Sequence, residues 1–168
     1  MHPLSRATAL FAPLLVVANC AASPEITQMT RSAPQAAPAP AATRASASQR
    51  DLSCLAEAVY FEARGTGLTG ETAVAHVVVN RAKAAAFPDS ICGVVGDGCQ
   101  FSYRCDGRSD ALAEAGSRAR AFKVAETVLS GAPDITKGAL FFHSARAAPG
   151  WFRSRSRVGT FGGNVFYR

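Results

Sequence analysis

A chain of 168 residues, 48% of them hydrophobic and 18% charged, suits one domain with tails and excludes a large multidomain enzyme. Eighteen Lys and Arg against twelve Asp and Glu give a net charge of +6, but half of that excess lies in residues 1–50, which hold four Arg and one Glu. The rest of the chain lacks the concentrated basic charge of a nucleic-acid binder, so nucleic acid is not expected as a partner. Every charged side chain after Asp134 is nonetheless basic: Lys137, Arg146, Arg153, Arg155, Arg157 and Arg168. That end of the chain suits either an anionic polymer or a solvated rim.

Residues 1–20 read as an export signal. Arg6 stands in a weakly basic start, and an apolar run follows from Ala9 to Ala18. About ten apolar residues are too few for a bilayer span, which needs roughly 20, and fit the apolar centre of a signal. Cys20, after Val17-Ala18-Asn19, stands where a lipoprotein signal places the cysteine to be acylated; ordinary cleavage near Ala18 or Ala22 is the alternative. The protein is therefore expected in the periplasm or cell envelope, attached to the membrane if Cys20 is lipidated. In residues 21–50, 21 of 30 residues are Ala, Pro, Ser or Thr. Such a segment buries too little surface to offset its ordering entropy and reads as a disordered linker.

Residues 51–168 read as the domain. Asp51 is placed to cap a helix that runs to about Ala63, with Gly65 past its end. Leu52, Leu55, Val59 and Glu62 fall on one stripe of that helix. A second helix, from Thr69 or Gly70 to about Ala85, would bury Val74, Val77 and Val78. Ala75 and Val79 widen that face and leave His76 on the polar side. Residues 87–109, with Pro88, four Gly and three Cys, read as irregular. A third helix from Ser109 or Asp110 would bury Leu112, Ala115, Ala119, Phe122, Ala125 and Leu129, and stop at Gly131. The short β-like stretches Ala139–His143 and Val165–Tyr167 are expected to pair as an antiparallel ribbon. The fold class is α+β, compact and helix-dominated, and the chain reads as a monomer.

With Cys20 set aside, Cys54, Cys92, Cys99 and Cys105 remain. An even number in an exported chain suggests two disulfides. Their gaps lack the short Cys-x2-Cys pairs of zinc modules, so neither a metal nor another cofactor is expected. Cys99 with Cys105 would close a short loop and leave Cys54 with Cys92, although spacing does not fix the pairing.

Glu62 continues an apolar row in the last turn of its helix. Withdrawal from water and the negative end of the helix dipole both disfavour its ionised form, as a general acid requires. Arg64 would oppose this if its guanidinium folded back on the carboxylate. Leu55-Ala-Glu-Ala-Val-Tyr-Phe-Glu-Ala-Arg-Gly65 and Gly70-Glu-Thr-Ala-Val-Ala-His-Val-Val-Val-Asn-Arg81 open a series of blocks in order. Phe87–Val95, Cys99-Gln-Phe-Ser-Tyr-Arg-Cys-Asp-Gly107, Gly138–His143, Pro149-Gly-Trp151 and Phe166-Tyr167-Arg168 complete it. Together these resemble the SleB/CwlJ-type cell wall hydrolases across essentially all of 51–168.

The resemblance implies a lysozyme-like helical framework and an enzyme that cleaves peptidoglycan glycan strands, as lytic transglycosylases do. Glu62 matches the glutamate of the family's E-A-R-G motif and is implied as the acid/base. In that scheme one carboxyl group suffices, whereas ordinary glycosidases need two. A second carboxylate would come from Glu71, Asp97, Asp106 or Asp110. Glu71 falls in the first helical turn, where the dipole accounts for it; Asp106, whose loop matches the family, is the better second carboxylate and also a candidate substrate contact, with bracing of its turn as the alternative. Tyr60, Gln100, Ser102, Tyr103, His143, Trp151 and Asn164 are the other candidates for holding sugars. The chain departs from the family at Asn164, where a histidine is usual, and at Thr66, where an acidic residue is usual. Two rival readings remain: a glycan-binding envelope lipoprotein without catalysis, and an amidase or endopeptidase using Cys54 with His143 and Asn164.

Overall fold

The computed structural model describes residues 41–168, with side chains from Ser48 onward; the export signal, Cys20 and residues 21–40 lie outside the described residues. Helix α1 spans Ala41–Ala63, α2 Gly67–Lys83, α3 Ile91–Val95 and α4 Ala115–Leu129. Strands β1 Phe141–Ser144, β2 Arg157–Phe161 and β3 Asn164–Tyr167 follow, with 3₁₀ turns at Ser102–Cys105 and Gly150–Ser154. The class is α+β and helix-dominated, as the sequence indicates.

The first helix starts earlier than expected. Residues 41–50, assigned above to the linker, are helical, and Asp51 lies inside α1 instead of capping it. The stretch after Pro40 is rich in alanine, the best helix former, and contains no further proline. Poverty in bulky apolar residues therefore did not preclude a helix there. At the other end the chain leaves α1 through Gly65, whose φ of 85° is the left-handed conformation of a helix stop.

Helix α2 is central, packed by α1, α3, α4 and β2. Val74, Ala75, Val77 and Val78 are fully buried as expected. His76 is buried as well, with Nδ1 3.7 Å from Asp134 Oδ1, because a helix covered on so many sides keeps no polar face. Val78 joins Leu55, Val59, Val94, Phe101, Val124 and Val128 in the main core.

Helix α4 begins at Ala115, later than expected, and its buried face is Ala121, Val124, Ala125 and Val128. Ala115, Ala119 and Leu129, assigned above to that face, are exposed. The start is set by Glu114, whose carboxylate accepts from Gly116 N at 2.8 Å and Ser117 N at 2.6 Å. Its own N–H donates to the Tyr60 hydroxyl at 3.1 Å, which ties the preceding segment to α1.

Strands β1 and β3 pair antiparallel as expected, with Phe141 opposite Tyr167 and His143 opposite Val165. A third strand, β2, makes β3 the middle of the order β1-β3-β2. It joins β3 through Gly162-Gly163, both at positive φ, the pair a tight hairpin favours. Phe142 and Phe166 pack with Val158 and Phe161 onto Ala63 and onto Ala73, Val74 and Val77 of α2. By strand alternation Phe141, His143, Val165 and Tyr167 occupy the opposite face.

Residues 87–109 are mainly irregular, apart from the short α3 and the first 3₁₀ turn. The disulfide Cys54–Cys92 ties α1 to α3, and Cys99–Cys105 closes the loop around that turn.

Candidate active site

Glu62 lies in the last turn of α1, half-buried. Burial pushes its carboxyl above the usual carboxylate range, and the charge of Arg81 pulls in the opposite direction. Arg64 does not fold back onto it. Its Nη1 donates to the Tyr60 hydroxyl at 2.9 Å, and its guanidinium lies over the Tyr60 ring.

Sequence reading missed Arg81. It is 7% exposed, donates from Nε to the Leu140 carbonyl at 2.7 Å, and stands 5.2, 5.7 and 5.9 Å from the rings of Phe87, Phe101 and Phe141. Burial lowers its pKa to about 10 against the raising charges of Glu62 and Asp97, so it is a cation at neutral pH. A signal was available: Val74, Val78 and Arg81 stand at i, i+4 and i+7, the spacing logic that singled out Glu62. Its neighbour Asn80 donates from Nδ2 to Asp134 Oδ2 at 2.9 Å and to the Ala139 carbonyl at 3.2 Å. Asp134 also accepts from Thr136 N and Gly138 N, both at 2.7 Å. This network fixes the turn before β1 and so holds Leu140 within reach of Arg81.

Tyr103 comes to the same centre. Its ring is 7% exposed and stacks on Phe61 at 4.4 Å between centroids. Burial and the charges of Glu57 and Glu62 push its hydroxyl pKa up. Gln100 and Ser102 are exposed on the loop that carries it. Tyr60, considered above as a sugar contact, is 3% exposed, and its hydroxyl accepts from both Arg64 and the Glu114 N–H. Its position on α1 turns it into the fold, so it braces the start of α4.

The alternative carboxylates are mostly occupied elsewhere. Asp106 is exposed and braces its turn by accepting from Arg108 N at 2.9 Å. Asp110 and Glu57 both hold Arg104, at 3.1 and 2.9 Å. Glu71 lies beyond the first turn, because α2 begins at Gly67, and is buried with Arg120 Nε at 3.6 Å. Asp97 acts on Arg81. Among the described residues no group of three or more His, Cys, Asp and Glu is arranged to hold a metal ion.

A second cluster lies on β1, β3 and the second 3₁₀ turn. His143 Nδ1 is 2.8 Å from the Ser144 carbonyl, and Nε2 is 3.0 Å from the Tyr167 hydroxyl. A carbonyl only accepts, so in the neutral ring Nδ1 carries the hydrogen and Nε2 accepts from Tyr167. Trp151, 40% exposed, lies against His143, Tyr167 and Phe141 at 5.6, 5.8 and 6.0 Å between centroids. Phe141 thus contacts both Trp151 and Arg81. Asn164 is on the other face of β3, 8% exposed, beside a cavity of about 410 Å³ that Arg64, Gly65, Thr66, Ser144 and Arg146 also line. Cys54 is disulfide-bonded, which removes the thiolate nucleophile that the amidase reading required.

Residues 65–167 match the family described as Cell Wall Hydrolase. The chain belongs to that family. The matched residues begin just after Glu62. The spore cortex-lytic enzymes of Halalkalibacterium halodurans and Oceanobacillus iheyensis are 30% and 32% identical to the chain over 119 residues. That is 71% of this chain but 35% and 42% of theirs, so the chain spans less than half the length of these relatives. The catalytic domain of the germination-specific lytic transglycosylase SleB from Bacillus anthracis superposes with a TM-score of 0.62 at 30% identity, covering 71% of this chain and 95% of that one. The catalytic domain of the Bacillus cereus SleB protein gives 0.58 at 27% identity, over 71% and 91%.

Proposed function

We propose that this cell wall hydrolase cuts the glycan strands of peptidoglycan between N-acetylmuramic acid and N-acetylglucosamine, as a lytic transglycosylase with Glu62 as the single acid/base. The observation that carries the reading is the burial of Glu62, which favours its protonated form, with Arg81 nearby to stabilise the carboxylate once the proton has left. Likeness to a solved domain named a lytic transglycosylase supports the same chemistry.

Protonated Glu62 donates to the glycosidic oxygen as the bond from C1 of the muramoyl residue breaks. The resulting carboxylate then takes the proton of that sugar's 6-hydroxyl while O6 bonds to C1. A 1,6-anhydro ring forms, and Glu62 ends protonated, ready for another turn. Trp151, the exposed ring, offers a face for a pyranose, Gln100 and Ser102 offer hydrogen bonds to hydroxyl and N-acetyl groups, and Tyr103, stacked on Phe61, backs the site from within the core. His143 is held by Ser144 and Tyr167 and positions Trp151. The substrate implies action in the cell envelope, consistent with an export signal in residues 1–20.

Digestion of purified sacculi tests this. Wild type is expected to release muropeptides ending in 1,6-anhydromuramic acid. Glu62→Gln should lose about 10³-fold or more in rate, the order of a required acid/base acting in both steps. Reducing-end products would show hydrolysis and make Asp97 the carboxylate to replace. Equal activity of the two proteins would falsify the role of Glu62 and favour glycan binding without catalysis.

A further inference from the structure

The fold gathers three of the cations that end the chain. Arg153, Arg155 and Arg157 line a pocket of about 350 Å³ together with Phe152, Val165 and Tyr167. It lies on the sheet face turned away from α2. Among the described residues, none of these three arginines pairs with a carboxylate. Arg157 Nη2 donates to Thr160 Oγ1 at 2.9 Å, and the Arg155 guanidinium lies 3.4 Å from the centre of the Phe141 ring. Clustered guanidiniums without counter-charge repel one another, and an anion placed among them relieves that repulsion.

The rest of the lining says which anion. Phe152, Val165 and Tyr167 give the pocket an apolar floor, useful to a ligand with small alkyl groups beside its charge. Inorganic phosphate has no such part and gains nothing from that floor. A short peptide with free carboxylates and methyl-sized side chains uses both features, since guanidinium forks fit carboxylates with paired hydrogen bonds. The pocket also adjoins the proposed glycan path. Phe141 is contacted by Arg155 on the pocket side and by Arg81, the cation whose charge acts on Glu62, and Tyr167 meets Trp151 edge-on. A strand passing over Trp151 towards Glu62 carries the lactyl substituents of its muramoyl residues near these arginines.

We infer that the Arg153–Arg155–Arg157 pocket is a subsite for the carboxylates of the peptide stems, so that this enzyme favours strands whose stems carry free carboxylates. The inference rests on the peptidoglycan reading, and its test separates the two.

Trp151 is the sole tryptophan and lies 6.0 Å from Arg155, so its fluorescence reports on the pocket directly. The full chain is titrated at fixed ionic strength with a synthetic stem tetrapeptide, with its fully amidated counterpart, and with inorganic phosphate. The free acid should give a saturable change at a concentration about tenfold below either control, and Arg153→Gln/Arg157→Gln should weaken it about a hundredfold, roughly tenfold for each guanidinium lost. In turnover, sacculi with free stem carboxylates should show a lower KM than sacculi whose carboxylates have been amidated, with kcat unchanged, and the double variant should treat both alike. Equal binding of acid and amide, phosphate binding as tight as the peptide, or an unaffected variant would each overturn the subsite. Cleavage of both walls without peptide binding overturns the subsite alone. Peptide binding without any cleavage overturns the glycan-cutting reading alone.

Discussion

Glu62 ends the apolar row of its helix, and the consequence for stability has a definite sign. Burial favours the protonated carboxyl in the folded state over the unfolded one, where the pKa is near its ordinary 4.5. The protonated group therefore supports folding fully below that value, and the support is lost as pH rises through the higher folded pKa. Glu62→Gln, nearly isosteric and always neutral, should accordingly melt at a higher temperature than wild type at neutral pH. The gap should close below about pH 4, where Glu62 is protonated in both states. Thermal melts across a pH series measure this, and coincident melting temperatures at neutral pH would show that the side chain carries no burial penalty. A site residue whose replacement stabilises the fold while abolishing turnover is the expected trade between stability and activity. The stripe made Glu62 visible in sequence. Arg81 stands on the same kind of stripe, but only its charge acting on Glu62 across the fold gives it a role.

The β2–β3 hairpin reaches the junction of α1 and α2 through a contact between backbones. A Cβ on Gly162 would lie 2.6 Å from both Gly70 Cα and the Thr66 carbonyl oxygen, and its φ of 56° is itself unfavourable for other residues. Thr66 caps the junction between α1 and α2, donating from Oγ1 to the Ala63 carbonyl at 2.7 Å. Gly162→Ala should therefore lift the hairpin off the junction that follows Glu62. We expect a loss of about 2–4 kcal/mol from overpacking and backbone strain, with reduced activity on sacculi. Gly163→Ala, where nothing lies within 4 Å, should cost only about 1–2 kcal/mol of left-handed strain. Urea midpoints compare the two, and similar losses would refute the close approach. The hairpin was present in the sequence as Gly-Gly between Val158–Phe161 and Val165–Tyr167. Arg157 and Gly159 obscured the first strand by breaking its apolar pattern. For α4 the difficulty was the reverse: Asp110 and the residues after it favour a helix locally, but the Tyr60 hydroxyl and the Glu114 cap defer its start.

Two disulfides of unequal reach join these elements. Cys54–Cys92 closes a separation of 38 residues and links α1 to α3, whereas Cys99–Cys105 closes 6. If restriction of the unfolded chain dominates, removing the first as Cys54→Ala/Cys92→Ala should cost about 4 kcal/mol and removing the second about 2. Guanidinium unfolding of the two double variants gives the order directly, and a larger loss from the short loop would show that local packing outweighs chain entropy.

By itself the sequence determined what depends on local pattern: a helix-dominated domain, the pairing of β1 with β3, the centrality of α2, and a carboxylate withdrawn into an apolar row. Only the tertiary structure decided that Arg81 and not Arg64 opposes Glu62, that Tyr60 braces α4 while Tyr103 comes to the site, and that three arginines gather in one pocket. Periodicity along a chain shows which side of an element turns inward. What that side meets depends on how separate elements cross, and residues far apart in sequence settle that jointly.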